Sequence, residues 1–224
     1  MAPVPSAETG CAHTCSTWEE THAAATKTSM TAVPNPFLYM PFPNSSSLRL
    51  QASSTKQITG KTSVTLSPGV YNGGISISGQ ASVILLPGIY YLHGGGFTYT
   101  STGNLIANGV LIFNNPLSDT DTITLAGKGS VVISPLTNGL YQGFSIVQDA
   151  YSVLPLNITG NGKMNITGTI YAAHAPLNIT ATAFGDVIGS QLVAYDLSLT
   201  GSGSVVVHRD INPVGRTRVI GLVE

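Results

Sequence analysis

Charge is what this chain has least of. Only 8% of its 224 residues are Asp, Glu, Lys or Arg, and the formal net charge is −1. Nucleic acid or an anionic membrane surface is met by a basic stripe, and the sequence offers none. Cysteine is scarce too, with two copies, Cys11 and Cys15. No apolar run approaches the length of a membrane-spanning helix, and the N-terminus has no apolar signal segment. Helix formers are sparse over the body of the chain, where Ser, Thr, Val and Ile dominate, as strands prefer. The clustered carboxylates that cleave polysaccharides are also missing, as are a Ser-His-Asp order, a glycine-rich phosphate loop and a zinc-hydrolase helix. Neither a catalytic residue nor a cofactor or metal is therefore expected.

What the chain does have is a repeat. Ile75-Ser-Ile-Ser-Gly79 alternates apolar and hydroxyl side chains, and its pattern returns at Phe97, Ile123, Leu156, Leu177 and Leu197, with a weaker first copy at Gln57. Successive starts from Ile75 are 22, 26, 33, 21 and 20 residues apart, the spacing of stacked repeats. A second run recurs at Ser63, Ser82, Ser130, Lys163 and Ser204. A third opens on Gly69, Gly88, Gly109, Gly143, Gly168 and Ser190. Period-2 alternation sends successive side chains to opposite faces of a strand, so each run buries one face and hydrates the other. Three short strands per repeat and about seven repeats predict an all-β chain, a β-solenoid (parallel β-helix) over residues 46–224. The expected core is Ile75, Ile77, Val83, Leu85, Ile123, Leu125, Val131, Ile133, Leu156, Ile158, Leu177, Ile179, Leu197, Leu199, Val205 and Val207. At the strand spacing, the rod would be about 30–35 Å long. Only Leu136–Gln142 reads as an insertion into the repeat.

If those apolar residues point inward, the hydroxyls and amides between them point outward and stack. One column is Ser76, Thr98, Thr124, Asn157, Asn178 and Ser198; the next is Ser78, Thr100, Ala126, Thr159, Thr180 and Thr200. An uncharged ladder of this kind hydrogen-bonds along itself, and it suits saccharide hydroxyls or ordered water, including ice. Asp119, Asp121 and Asp149 could share a calcium ion, but beside Asn114-Asn115-Pro116 they read first as turn residues. His93, His174 and His208 each stand alone in apolar or glycine-rich sequence and read as structural. Asn44, Asn157, Asn165 and Asn178 each open a glycan-acceptor tripeptide.

Residues 1–45 read as an arm, linker and cap. Cys11 and Cys15 bracket His13, with His22 downstream, a spacing in which a metal site is conceivable, but the expected state is a disulfide, within the chain or to a neighbouring one. Pro34, Pro36, Pro41 and Pro43 keep the following segment extended, and Phe37, Leu38, Tyr39, Met40 and Phe42 within it need cover. The open first coil of a solenoid needs cover as well, so this segment is expected to wrap or cap that end. An interaction motif for another protein is the alternative. The densest charge lies near the C-terminus, at His208, Arg209, Asp210, Arg216 and Arg218, where it would guard a strand edge or fix a partner. Phe37, Leu38, Tyr39, Phe42, Arg216 and Arg218 are therefore the expected cap and self-association residues.

A resemblance follows from longer stretches. Val33-Pro-Asn-Pro-Phe-Leu, Thr65-Leu-Ser-Pro-Gly-Val-Tyr-Asn-Gly-Gly-Ile-Ser-Ile-Ser-Gly, Leu86-Pro-Gly-Ile-Tyr-Tyr-Leu-His-Gly-Gly-Gly-Phe and the closing Arg218-Val-Ile-Gly-Leu-Val-Glu carry it. Over roughly residues 33–224 the chain is similar to the C-terminal β-helical region of TadG-like, pilus-assembly-related bacterial envelope proteins, frequent in planctomycetes. That resemblance implies an exported, surface-associated protein with no established chemistry. It also implies an N-terminal membrane anchor, which this sequence does not show. The expectation is a non-catalytic extracellular or cell-envelope protein that self-associates, as a homo-oligomer or filament, or binds other envelope proteins. The alternative is a carbohydrate-binding module that presents the Ser/Thr/Asn ladder to polysaccharide.

Overall fold

The computed structural model describes residues 35–161, 163–183, 185–207 and 214–216. Cys11, Cys15, His208 and Arg218 lie outside the described residues. The described residues wind into seven coils. The first holds β1 (Leu50–Ala52), β2 (Lys56–Ile58) and β3 (Ser63–Leu66). The second holds β4 (Gly69–Asn72), β5 (Ile75–Ile77) and β6 (Ser82–Leu85), and the third β7 (Gly88–His93), β8 (Phe97–Tyr99) and β9 (Leu105–Ala107). The fourth holds β10 (Val110–Asn115), β11 (Ile123–Leu125) and β12 (Val131–Ile133), and the fifth β13 (Phe144–Gln148), β14 (Leu156–Gly160) and β15 (Met164–Ile166). β16 (Thr169–Ala181) with β17 (Asp186–Ile188) makes the sixth, and β18 (Gln191–Gly201) with β19 (Val205–Val206) the seventh.

Every strand pairs in parallel with its counterpart one coil away, which gives three walls. β1, β4, β7, β10, β13 and the first halves of β16 and β18 form the first wall. β2, β5, β8, β11, β14 and the second halves of β16 and β18 form the second. β3, β6, β9, β12, β15, β17 and β19 form the third, a separate seven-stranded sheet. The last two coils depart from the expected three strands, because β16 and β18 each run from the first wall into the second as one strand, with a bulge in their pairing between Ala172 and Pro176.

Inside the walls the alternation behaves as patterned. Twelve of the sixteen expected core residues, from Ile75 to Ile179, are 0–1% exposed. Four are not. Leu197 and Leu199 are 45% and 55% exposed, and Val205 and Val207 are only half-buried. The reason is position: these four sit in the last described coil, which among the described residues has a stacked neighbour on one side only.

Glycine sets the corner between the first and second walls in the early coils. Gly95 takes φ +69°, and a Cβ there would land on the carbonyl of Gly73 one coil below. This close stacking of corner on corner joins the paired β4 and β7 of the first wall to the paired β5 and β8 of the second.

The first wall is apolar on its outside as well. Val70, Tyr91, Phe113, Val147, Tyr171 and Val193 stack outward in register. Residues 35–48 lie along this column rather than over the open end of the first coil, which corrects the capping expectation. Asn35 Nδ2 donates to the Tyr171 hydroxyl at 2.7 Å in the sixth coil. Phe37 packs edge-on against Phe144 and Tyr171, Phe42 packs on Phe113, and the chain then enters β1 of the first coil. The segment is a lengthwise strap. Its prolines suit that role, since an irregular strap cannot use N–H groups in a ladder. Gly215 returns to the same wall, donating its N–H to Thr169 Oγ1 at 2.7 Å beside Phe144. Leu136 and Tyr141, in the expected insertion, also pack onto this cluster.

Candidate binding surface

Two outer walls remain to meet solvent or a ligand. On the third wall the outward column is Thr65, Ile84, Ile106, Val132, Asn165, Val187 and Val206, mostly β-branched and apolar. On the second wall it is Gln57, Ser76, Thr98, Thr124, Asn157, Asn178 and Ser198, paired rung to rung through all seven coils. Ser76, Thr98, Thr124, Asn157, Asn178 and Ser198 are half-buried, each shielded by the rungs beside it. Asn178 Nδ2 donates to Asn157 Oδ1 at 3.0 Å, so part of the ladder satisfies itself. In the neighbouring column, Thr159, Thr180 and Thr200 stack in register, with Thr180 and Thr200 hydroxyls 3.1 Å apart. Ser78 and Thr100 continue this column through backbone bonds to Ile58 and Ile77.

The corner between the first and second walls is where the repeat breaks. Two or three residues turn it in the second and third coils, but residues 116–122 and 149–155 turn it in the fourth and fifth. The expectation of a single insertion at Leu136–Gln142 was therefore incomplete. These loops and the corners of the last two coils frame two adjoining clefts. One, of about 540 Å³, is lined by Val153, His174, Pro176, Tyr195 and Asp196. The other, of about 260 Å³, shares Val153 and is lined also by Pro116, Leu117, Asp119 and Tyr151. Tyr151 and Tyr195 are 93% and 77% exposed. Pro176 and Asp196 directly precede Leu177 and Leu197, so the clefts open beside the ladder.

Buried polar groups hold the loops in place. Asp121 is 6% exposed and accepts from the Leu117 and Ser118 N–H groups, both at 2.8 Å, and from the Ser118 hydroxyl. Burial pushes its carboxyl up, but these bonds and one from the Gly95 N–H outweigh that and hold it below the usual carboxylate range. Asp149 accepts from the Tyr151 N–H at 3.0 Å, and Asn115 reaches both His93 and Asp149. Asp121 and Asp149 thus serve the turns, as their setting in the sequence suggested. Asn114, fully buried, donates to the Asp121 carbonyl and to Gln148, while its own Oδ1 has no hydrogen-bond partner among the described residues.

Of the residues expected for association, Phe37 and the half-buried Phe42 are committed to the chain's own wall, whereas Leu38, Tyr39 and Arg216 are exposed. Among the described residues, no helix is long and apolar enough to cross a membrane. The sequence reading missed Tyr151, Val153 and Tyr195. The signal for the first two was the spacing of 33 residues between Ile123 and Leu156, too long for one insertion of seven. The chain matches no protein-family model, no curated protein and no solved structure.

Proposed function

We propose that this chain is a non-catalytic structural module of the cell exterior, a rigid spacer that pairs with a second copy of itself through its last coil. The observation that supports this reading is the contrast between the two ends. In the first coil Ile58 and Leu66 are 4% and 5% exposed. In the last coil Leu199 is 55% exposed, at a position that is at most 4% exposed in every earlier coil. A long parallel edge with apolar side chains beneath it templates further pairing. Two last coils meeting across a two-fold axis would cover both edges and close the assembly at a dimer twice the length of one solenoid. The strap is already used on the chain's own first wall, so the solenoid end rather than arm exchange carries the contact. Placement at the cell exterior follows from the resemblance to TadG-like envelope proteins.

Light scattering under reducing conditions tests the contact, because reduction removes any disulfide-linked species. The molar mass should rise with concentration from 23.2 kDa toward twice that value. Leu199→Lys, a change at an exposed position, should hold it at the monomer. A native chain that stays monomeric at high concentration removes this reading.

A further inference from the structure

We infer that the groove at the corner of the first and second walls is a binding site for a neutral polysaccharide chain. This goes beyond the structural role above and does not depend on it. Three observations converge on the groove. The repeat is interrupted here by two loops, in the fourth and fifth coils, that build walls a regular solenoid lacks. Two tyrosines stand almost free of the protein beside the clefts, Tyr151 at 93% and Tyr195 at 77% exposure. An exposed aromatic ring in soluble protein is costly to hydrate and offers a flat apolar face with a polar tip, the shape that covers the C–H face of a sugar ring. Finally, the groove opens beside the hydroxyl and amide ladder of the second wall, which can exchange hydrogen bonds with sugar hydroxyls.

The geometry sets the size and charge of the occupant. Tyr151 belongs to the fifth coil and Tyr195 to the seventh, two steps or about 10 Å apart along the axis at the strand spacing. The two clefts share Val153, so one saccharide chain lying along the corner can cover both rings, with Pro176 in the lining beside Tyr195. Among the described residues, the side chains lining the two clefts include Asp119 and Asp196 and no Lys or Arg. Carboxylates accept from sugar hydroxyls but repel uronate or sulfate groups, so anionic chains are disfavoured.

Affinity gel electrophoresis of the whole chain tests this, with hydroxyethylcellulose, galactomannan, soluble starch and alginate cast separately into the gel. At least one of the three neutral polymers should retard the protein, and alginate should not. Tyr151→Ala combined with Tyr195→Ala should weaken retardation at least tenfold, while Tyr195→Phe keeps most of it because the ring face remains. Both tyrosines are exposed, so the variants should keep the native circular dichroism and melting temperature. Leu199→Lys, outside the groove, should leave retardation in place, which separates this site from the end contact. The inference is overturned if no neutral polymer retards the native chain, if alginate is preferred, or if the double alanine variant is retarded as strongly as the native protein.

Discussion

Phe37 meets Phe144 edge-on, with ring centroids 4.8 Å apart and planes at 74°. The contact ties the first described turn of the chain to the fifth coil of the solenoid, and Gly215 closes over the same ring. A strap that starts at the sixth coil and ends in the first fastens the stack along its length. Phe37→Ala should therefore cost about 3 kcal/mol, the usual range for truncating a buried phenylalanine. Urea unfolding followed by circular dichroism measures it. A loss below about 1 kcal/mol would mean that the strap lies on the wall without holding it.

The stacked corners make a second prediction. Gly95→Ala would combine a left-handed backbone with a Cβ placed on the Gly73 carbonyl, so the two coils would have to separate locally. A loss of at least about 2 kcal/mol is expected. Gly139→Ala is the control, since it has the same sign of φ but nothing within 4 Å of a Cβ. It should cost about 1 kcal/mol, from backbone conformation alone.

A third prediction concerns alkaline pH. Tyr71 and Tyr90 stack inside the second and third coils, and their hydroxyls donate to the carbonyls of Ser67, Leu66 and Leu86. Burial pushes the Tyr71 hydroxyl up to about 12, and burial together with the neighbouring Tyr71 pushes Tyr90 higher still. The neutral form is the native one. The stability that these groups contribute is therefore complete below the unfolded value near 10 and is lost as pH rises through about 12. The loss at Tyr71 alone is on the order of 2 kcal/mol. Melting temperature should stay flat from neutral pH to about 9 and then fall, together with a rise in tyrosinate absorbance. A flat profile through the tyrosine range would show that these hydroxyls titrate freely in the folded state.

Much of this architecture can be read in the sequence because solenoid geometry is local. Ile75-Ser-Ile declares its inward and outward faces by itself, and each copy at Phe97, Ile123, Leu156 and Leu177 pairs in the register that its alternation sets. The third wall was harder to read. β9, Leu105-Ile-Ala, lacks the Ser-Val opening of its neighbours, and β17 begins with Asp186 at an inward position. That carboxylate reads as a loop residue, yet it is buried and accepts the Met164 N–H at 2.9 Å. β1, Leu50-Gln-Ala, falls within the expected solenoid but matches none of the three repeated runs, because a coil with a partner on one side only carries a weaker pattern. The strap failed for another reason. Its apolar residues announce a need for cover, but which surface supplies it depends on the outward Tyr91, Phe113 and Tyr171, a column assembled from three coils. The groove was hidden in the same way, since the clefts lined by Tyr151 and by Tyr195 adjoin, through the shared Val153, only after the coils have stacked.

The central claim is that the last coil pairs with its counterpart in a second copy, and small-angle X-ray scattering over a dilution series tests it most directly. The account predicts that the maximum dimension grows with concentration toward twice the solenoid length while the cross-sectional radius of gyration stays constant, and that Leu199→Lys abolishes the growth. Growth with a widening cross-section would instead place the contact on a side wall, such as the Ile84, Ile106 and Val132 column, and would contradict the account. Unchanged dimensions at every concentration would contradict it as well.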